Sequence, residues 1–479
     1  MPSLVANSIA MLAARLAVPF FSFGINIGVA RLLGSHVLGQ YVELVALLLV
    51  AQALAGGGLS MLVTRDVAAH PDERAELMQR ANRVGFASGL LATVLFLAYA
   101  RIVLPPDVWN PALLLGASIL PSAWISAQEG LFMGLHQHPR ITLVAFVEGA
   151  VKLAAAGAVF AVDGGLAGLC AGLTVARLVA LGLGHGLTVR AGVQRAFGRP
   201  GRVLEFARAL VPFAAIFTLG ILYFRQDVLV VGALRSETET GLYGIATTLY
   251  ALTLLAPNSV MSAVFPRLAA AFGSARSDYH EATMLTSKLL TVEGVVVALV
   301  LIAAAPLLVR TLYGPPFLAA VPTLALLAAV LPLHGANAAL GQAMQAAHLQ
   351  GEMLALTIGA VAVNLVLCLV LVPQMGILGA ALALLTTSSL SAVVLAWIYH
   401  RRITPFRLGV RAALVPITVA APVLVALASP ETLRPAAAAG GLVLLAAGAR
   451  VSGLLSGADL SRLAAGLRLG AARAENQRA

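Results

Sequence analysis

The feature that most limits the fold of this chain is a succession of apolar segments, each long enough to cross a lipid bilayer. A helix needs about 20 predominantly apolar residues to span the hydrocarbon core. Fourteen segments of the 479-residue sequence meet this condition. Only 11% of the residues are charged, whereas soluble proteins carry about 25%. The sequence therefore predicts an all-α polytopic membrane protein with about 14 transmembrane helices.

Motifs and composition argue against several other classes of protein. Cys170 and Cys368 both lie inside apolar segments, so neither a disulfide framework nor a metal site is expected. The sequence contains no phosphate-binding loop and no serine nucleophile elbow. Short connections leave no room for a soluble catalytic domain. We therefore predict no enzyme, no catalytic residues and no cofactor.

Basic residues indicate how the chain is oriented in the membrane. The net charge is +11, which in a soluble protein would suit nucleic acid. Arginine and lysine favour the cytoplasmic loops of membrane proteins. With a cytoplasmic N-terminus, that side contains most of the arginines, including those at 65–83, 190–208 and 401–411. An odd number of spans would break this alternation. We predict that both termini are cytoplasmic and that nucleic acid is not a partner.

A repeated sequence pattern indicates an internal duplication. The pattern Gly39-x-Tyr41 at the start of the second span recurs as Gly241-x-Tyr243 at the start of the eighth. An even number of spans separates them, so the two halves would be parallel repeats about an axis along the membrane normal. The predicted division is a six-helix lobe over 1–205, a pseudo-symmetric six-helix lobe over 206–405, and two more transmembrane helices with a cytoplasmic tail over 406–479.

The last part of the chain allows two interpretations. Leu460, Leu463 and Leu467 share one helical face, which suits an amphipathic helix lying on the inner leaflet. A frayed tail is the alternative. The last two apolar segments also allow a re-entrant hairpin in place of two crossings.

Ionisable residues inside the spans are the candidate functional residues, because charge at membrane depth is costly and usually faces an internal cavity. Four are cationic and four are acidic: Arg15, Lys152, Arg177 and Arg225, and Glu129, Glu148, Asp227 and Glu293. We predict that these side chains line such a cavity. The carboxylates are also the candidates for ion coupling.

Each of these residues also has a structural interpretation. Glu148 and Lys152 are four residues apart in the order that favours a helical ion pair, so they can neutralise each other. Arg225 and Asp227 are two apart and point in different directions, which leaves either separate partners in the cavity or packing between the lobes.

Arg15 and Arg177 have no acid on their own helical face, so each needs an acid from another helix or an anionic ligand. Arginine suits a phosphate because its planar fork binds two oxygens at once. Glu129 and Glu293 are candidate partners for these arginines, and proton or sodium sites are the alternative.

Several loose motifs, in order over about the first 400 residues, resemble one family. They are Leu32-Leu33-Gly34, Gly39-x-Tyr41, Asp227, Gly241-x-Tyr243, Phe265-Pro266, Leu312-Tyr313-Gly314 and the run at 376–381. They are similar to those of the polysaccharide (O-antigen, Wzx-like) flippases of the multidrug/oligosaccharidyl-lipid/polysaccharide exporter superfamily.

The resemblance implies two lobes around a central cavity and alternating access, usually driven by ion-coupled antiport. The substrate would be a polyprenyl-diphosphate oligosaccharide in the lipid bilayer of a bacterial inner membrane. The resemblance also implies that cations of the cavity hold the diphosphate, here Arg15, Lys152, Arg177 and Arg225. The expected protein is a monomer that works beside a polysaccharide polymerase and glycosyltransferases. A drug/ion antiporter of the same superfamily is the alternative, and a membrane enzyme of polysaccharide assembly is a third.

Overall fold

A computed structural model describes residues 4–193, 202–274, 276–404, 414–452 and 454, with side chains from residue 19 onward except at 274. Every regular element in these ranges is helical. The first helices are α1 (Leu4–Gly56), α2 (Leu59–Ala69), α3 (Arg74–Val103), α4 (Trp109–Gly116), α5 (Ile119–Gly134), α6 (His138–Ala161) and α7 (Gly165–Arg190). The prediction of an all-α membrane protein is confirmed.

The remaining helices follow in the same apolar pattern. They are α8 (Val203–Tyr223), α9 (Gln226–Leu234), α10 (Glu237–Thr253), α11 (Leu255–Ser274), α12 (Arg276–Leu312), α13 (Val321–Ala328), α14 (Leu331–Ala346), α15 (Gln350–Met375), α16 (Ile377–Arg402), α17 (Val415–Ala428) and α18 (Arg434–Ser452). Short 3₁₀ turns lie at Pro71–Glu73, Pro106–Val108 and Pro315–Ala320. Each predicted apolar segment overlaps at least one helix.

The number of membrane-crossing helices agrees approximately with the prediction. In the described ranges 11 helical segments are long and apolar enough to cross a membrane, or up to 12 if the bent pair Pro315–Ala328 and Leu331–Ala346 is one span. One of them, Pro19–Ala69, has 51 residues. At about 1.5 Å per residue it is more than twice as long as the roughly 30 Å hydrocarbon core is thick. It therefore accommodates two crossings. The apolar α17 is shorter, with 14 residues.

A glycine marks the bend between those two crossings. Gly34 has φ 85° and ψ 178° inside α1, a conformation that residues with a Cβ rarely adopt. The chain therefore turns at Gly34 without a separate loop.

The helices form two compact units. The first contains Met1–Thr248, Leu312–Phe317 and Thr357–Ala380, and the second contains Leu249–Thr311, Leu318–Leu356 and Ala381–Ala479. These units are groups of packed helices and do not test the sequence duplication. The lobes at 1–205 and 206–405 therefore stay a prediction. The predicted tail helix around Leu460 lies outside the described residues.

Close packing in the first unit depends on small residues, as is usual between membrane helices. On α5, Gly130 faces α2, and a Cβ added to it would lie 2.6 Å from the Ser60 carbonyl oxygen and 2.8 Å from Val63 Cβ. On α7, Gly182 is exposed and a Cβ there would meet nothing within 4 Å. The two glycines therefore form a matched pair for testing the packing.

We expect Gly130→Ala to lower the thermal stability of the purified protein, because the added methyl forces α2 and α5 apart. Such overpacking costs about 1–3 kcal/mol. The control Gly182→Ala should leave the melting temperature unchanged or slightly raised, since alanine favours a helix over glycine by about 0.5–1 kcal/mol. Equal melting temperatures for the two variants would show that the α2–α5 contact is looser than described.

Candidate functional site

The structure places most of the predicted ionisable residues in the first compact unit. Glu129 lies on α5, Glu148 and Lys152 on α6, and Arg177 on α7. Arg225 precedes α9, and Asp227 lies in the first turn of that helix. Glu293 lies on α12 of the second unit, half-buried and without an ion pair among the described residues. The side chain of Arg15 lies outside the described part of α1.

A buried cluster joins three helices of the first unit. Lys152 Nζ lies 2.5 Å from Glu148 Oε1, and Arg177 Nη1 lies 3.0 Å from Glu148 Oε2. Arg177 Nη2 also donates to Oε1 of Gln52 on α1 at 3.0 Å. We call these four residues the Glu148 cluster. The ion pair expected within α6 is present, and the acid that reaches Arg177 from another helix is Glu148.

The cations of this cluster are more accessible than its carboxylate. The Glu148 side chain is 9% exposed, against 25% for Lys152 and 19% for Arg177. Two cations share one carboxylate, so the contacting groups carry one excess positive charge. Burial of this kind is tolerable only when charges are paired and hydrogen-bonded. Both cations therefore keep part of their side-chain surface exposed.

Glu129 lies beside this cluster. It is within electrostatic range of Arg177 and Glu148, but it makes no ion pair within 4 Å in the described ranges. The direct partner of Arg177 is therefore Glu148 rather than Glu129. Sequence spacing could not distinguish these two acids, because each lies on a helix different from that of Arg177.

A second polar site lies at the break between helices α8 and α9. Helix α8 ends at Tyr223 and α9 begins at Gln226, so the backbone amides that open α9 lie inside an apolar segment. Asp227 is 5% exposed. Its Oδ2 accepts from the Tyr243 hydroxyl at 2.6 Å and its Oδ1 from the Val228 amide at 2.8 Å. Asp227 also lies at the N-terminal end of α9, and this end of a helix stabilises negative charge.

Arg225 does not neutralise Asp227 directly. No ion pair within 4 Å joins them in the described residues, which agrees with their spacing of two. Asp227 is therefore held by neutral donors rather than by a cation. Carboxylates at membrane depth are rare, which makes Asp227 a candidate functional residue.

Two neutral amides lie beside Asp227, and the sequence did not predict them because they carry no charge. Gln226 Nε2 donates to Asn364 Oδ1 at 2.8 Å, and Cys368 Sγ lies 3.7 Å from the same oxygen. Gln226 Oε1 and Asn364 Nδ2 are buried without a hydrogen-bond partner. The sequence feature that could have identified this site is Asn364, an asparagine in the middle of the apolar segment at 353–372.

Glu43 on α1 was also missed. It is 5% exposed, and its Oε1 has no hydrogen-bond partner. Gly232 lies directly against the Glu43 carboxylate. A Cβ added to this glycine would lie only 2.4 Å from the carboxylate carbon. Glu43 lies only four residues after the predicted start of its span. An interfacial position is ordinary there, so the sequence does not mark Glu43 as a candidate.

We expect Tyr243→Phe to lower the melting temperature, since Asp227 then loses its 2.6 Å donor. A buried acceptor left without its donor costs about 1–3 kcal/mol. Tyr313→Phe is the matched control, because the Tyr313 hydroxyl is buried without a hydrogen-bond partner. Removing that hydroxyl should leave stability unchanged or raise it. A larger loss at Tyr313 than at Tyr243 would contradict the assignment.

No cluster of three or more histidine, cysteine, aspartate or glutamate side chains able to hold a metal ion occurs among the described residues.

Long apolar helices with charged side chains sheltered between them define a polytopic membrane protein, and comparison with solved structures identifies its fold. The chain is similar to the lipid II flippase MurJ in an inward closed conformation, with TM-score 0.72, 11% identity, and coverage of 93% of this chain and 98% of that one. It is also similar to an inward-facing multidrug resistance MATE family transporter, with TM-score 0.67, 15% identity, and coverage of 82% and 98%. The chain therefore has the fold of these two proteins.

The family follows from the sequence comparison. The model of the polysaccharide biosynthesis protein family matches residues 4–272, more than half of the chain. The chain belongs to this family. A curated relative, the probable low-salt glycan biosynthesis flippase Agl15 of Haloferax volcanii, is 26% identical over 181 residues. That match covers 36% of this chain and 37% of the relative.

Proposed function

We propose that this chain moves a polyprenyl-diphosphate-linked oligosaccharide across a bacterial inner membrane for the synthesis of a surface polysaccharide such as O-antigen. The observation that carries the proposal is the Glu148 cluster, which holds two partly accessible cations on apolar helices of a polysaccharide biosynthesis protein. The name of the Haloferax volcanii relative agrees with it. Both termini would be cytoplasmic, and the protein would work as a monomer beside a polymerase and glycosyltransferases.

In this proposal Arg177 and Lys152 hold the diphosphate. Arginine binds two phosphate oxygens in one plane and stays charged, and lysine adds a point charge. Glu148 keeps both side chains oriented in the absence of substrate. Arg15 and Arg225 are proposed as further diphosphate contacts. Arg225 has no ion pair in the described residues, so its charge is available.

Transport would occur by alternating access and would be coupled to an ion. Glu129, Glu148, Asp227 and Glu293 are the proposed cavity carboxylates. Asp227 is the preferred coupling group because neutral donors rather than a cation hold it. Glu148 is already engaged by two cations, which leaves it less free to exchange an ion.

The second candidate is a drug/ion antiporter, which the similarity to a multidrug transporter favours. Deleting the encoding gene distinguishes the two functions. We expect loss of surface polysaccharide and accumulation of its lipid-linked precursor on the cytoplasmic leaflet, with unchanged drug sensitivity. Normal surface polysaccharide together with increased drug sensitivity would favour the antiporter and contradict the flippase.

A further inference from the structure

The second compact unit contains a cavity lined by uncharged polar side chains. Its volume is about 390 Å³, within the range of roughly 300–1,000 Å³ that is usual for ligand pockets. It lies along α11 and α14, at the start of α15. Its lining includes Asn258, Ser262, Asn337, Gln342, Gln345 and Met353.

Most of the amide groups in this cavity are not used by the protein. Within the described residues, the side chains of Asn258, Gln342 and Gln345 make no hydrogen bond. Asn337 donates through Nδ2 to the Ser388 carbonyl at 3.1 Å, while its Oδ1 is buried without a partner. An amide side chain has two donor hydrogens and an oxygen that accepts. Such groups on membrane helices are costly unless water or a ligand satisfies them.

The composition of the lining restricts the class of ligand. Among the residues that the structure describes, no acidic or basic side chain lines the cavity, so neither a diphosphate nor a cationic drug finds a charge of opposite sign there. A sugar matches it better, because each hydroxyl both donates and accepts, as the amides do. The flexible side chain of Met353 can adapt to the apolar face of a sugar ring.

We infer that this cavity binds a neutral sugar residue of the lipid-linked oligosaccharide. The inference rests on the proposed function. In the proposed orientation, α14 ends on the cytoplasmic side. Gln342 and Gln345 lie in its last two turns. The cavity is therefore in the membrane half from which the substrate would enter.

The test compares two probes that differ only in the sugar: polyprenyl diphosphate and polyprenyl-diphosphate N-acetylglucosamine. The variant is the double substitution Gln342→Met and Gln345→Met, which keeps side-chain length and removes the amides. Affinity is measured on the purified full chain in detergent. Because two hydrogen bonds are lost, we expect affinity for the glycosylated probe to fall about tenfold. Affinity for the bare diphosphate should stay unchanged.

Two controls separate this inference from the proposed function. Gln374→Met, an exposed amide on α15 outside the cavity, should change neither affinity. Arg177→Ala should weaken both probes. An unchanged affinity of the double variant for the glycosylated probe, or an equal loss for both probes, would overturn the inference and leave the diphosphate site standing. If wild-type protein binds neither probe, the proposed function fails and the inference fails with it.

The single variant Gln345→Met guards against misfolding of the double variant. Gln345 is exposed, so its side chain does not support the helix packing. A selective loss of affinity for the glycosylated probe, smaller than that of the double variant, supports the inference. Equal affinity of this variant and wild type for that probe counts against it.

Discussion

Arg177→Ala should abolish surface glycan export while the protein remains in the membrane at its normal level. Arg177 is the guanidinium of the Glu148 cluster, and it binds Glu148 and Gln52 through different nitrogens. In the proposed site Arg177 and a substrate phosphate form a hydrogen-bonded charge pair, and losing one partner of such a pair costs about 2–5 kcal/mol of binding free energy, a loss on the order of a hundredfold in substrate affinity. Glu148 stays paired with Lys152 in this variant, so the protein level should be normal. Export is measured as surface polysaccharide per cell against immunoblotted protein.

Arg190→Ala is the matched control for this variant. Arg190 is the last residue of the same helix, exposed and without an ion pair in the described ranges, so its loss should leave export normal. Arg177→Lys should restore only part of the export, since lysine cannot bind two phosphate oxygens in one plane. Arg15→Ala should reproduce the loss seen with Arg177→Ala, a prediction from sequence alone. Wild-type glycan in Arg177→Ala cells would remove Arg177 from the substrate site.

Glu148→Gln should give the largest loss of stability of the variants considered. It removes the carboxylate that Lys152 and Arg177 share and leaves two cations close together without an acid in contact. Breaking a buried ion pair by removing one partner costs about 3–5 kcal/mol. The melting temperature of the purified protein should fall accordingly. Adding Lys152→Met should recover part of the loss, because it removes one of the unpaired charges.

The control for Glu148→Gln is an exposed ion pair. Glu205 lies 3.7 Å from Arg202, with both side chains at least 70% exposed. Exposed pairs contribute little to stability, so Glu205→Gln should leave the melting temperature unchanged. If Glu148→Gln and Glu205→Gln behave alike, the Glu148 cluster is more hydrated than the structure indicates.

The sequence predicted the parts of the structure that depend on periodicity and spacing. The length of the apolar segments predicted the membrane-crossing helices. The spacing of four residues predicted the ion pair between Glu148 and Lys152. Both are local properties of one helix. The same reasoning anticipated that Arg225 and Asp227 would not pair, because side chains two apart point in different directions.

The periodicity and spacing of residues did not predict which side chains on different helices contact each other. The pairing of Arg177 with Glu148 rather than Glu129 depends on how α5, α6 and α7 are rotated and shifted against each other. Periodicity does not determine that register. The sequence also does not show that Gly130 is packed against another helix whereas Gly182 is exposed. Neutral polar residues were also missed, because Gln226, Asn364 and the cavity amides carry no charge to mark them.

The most direct test of the central proposal is transport by the purified chain in liposomes. A fluorescent polyprenyl-diphosphate oligosaccharide is placed in one leaflet, and its arrival in the other is followed by access to a membrane-impermeant quencher. We predict rapid transfer by wild-type protein, with Arg177→Ala near the rate of empty liposomes and Arg190→Ala near wild type. Transfer at the same rate with wild-type protein, with Arg177→Ala and without protein would contradict the account.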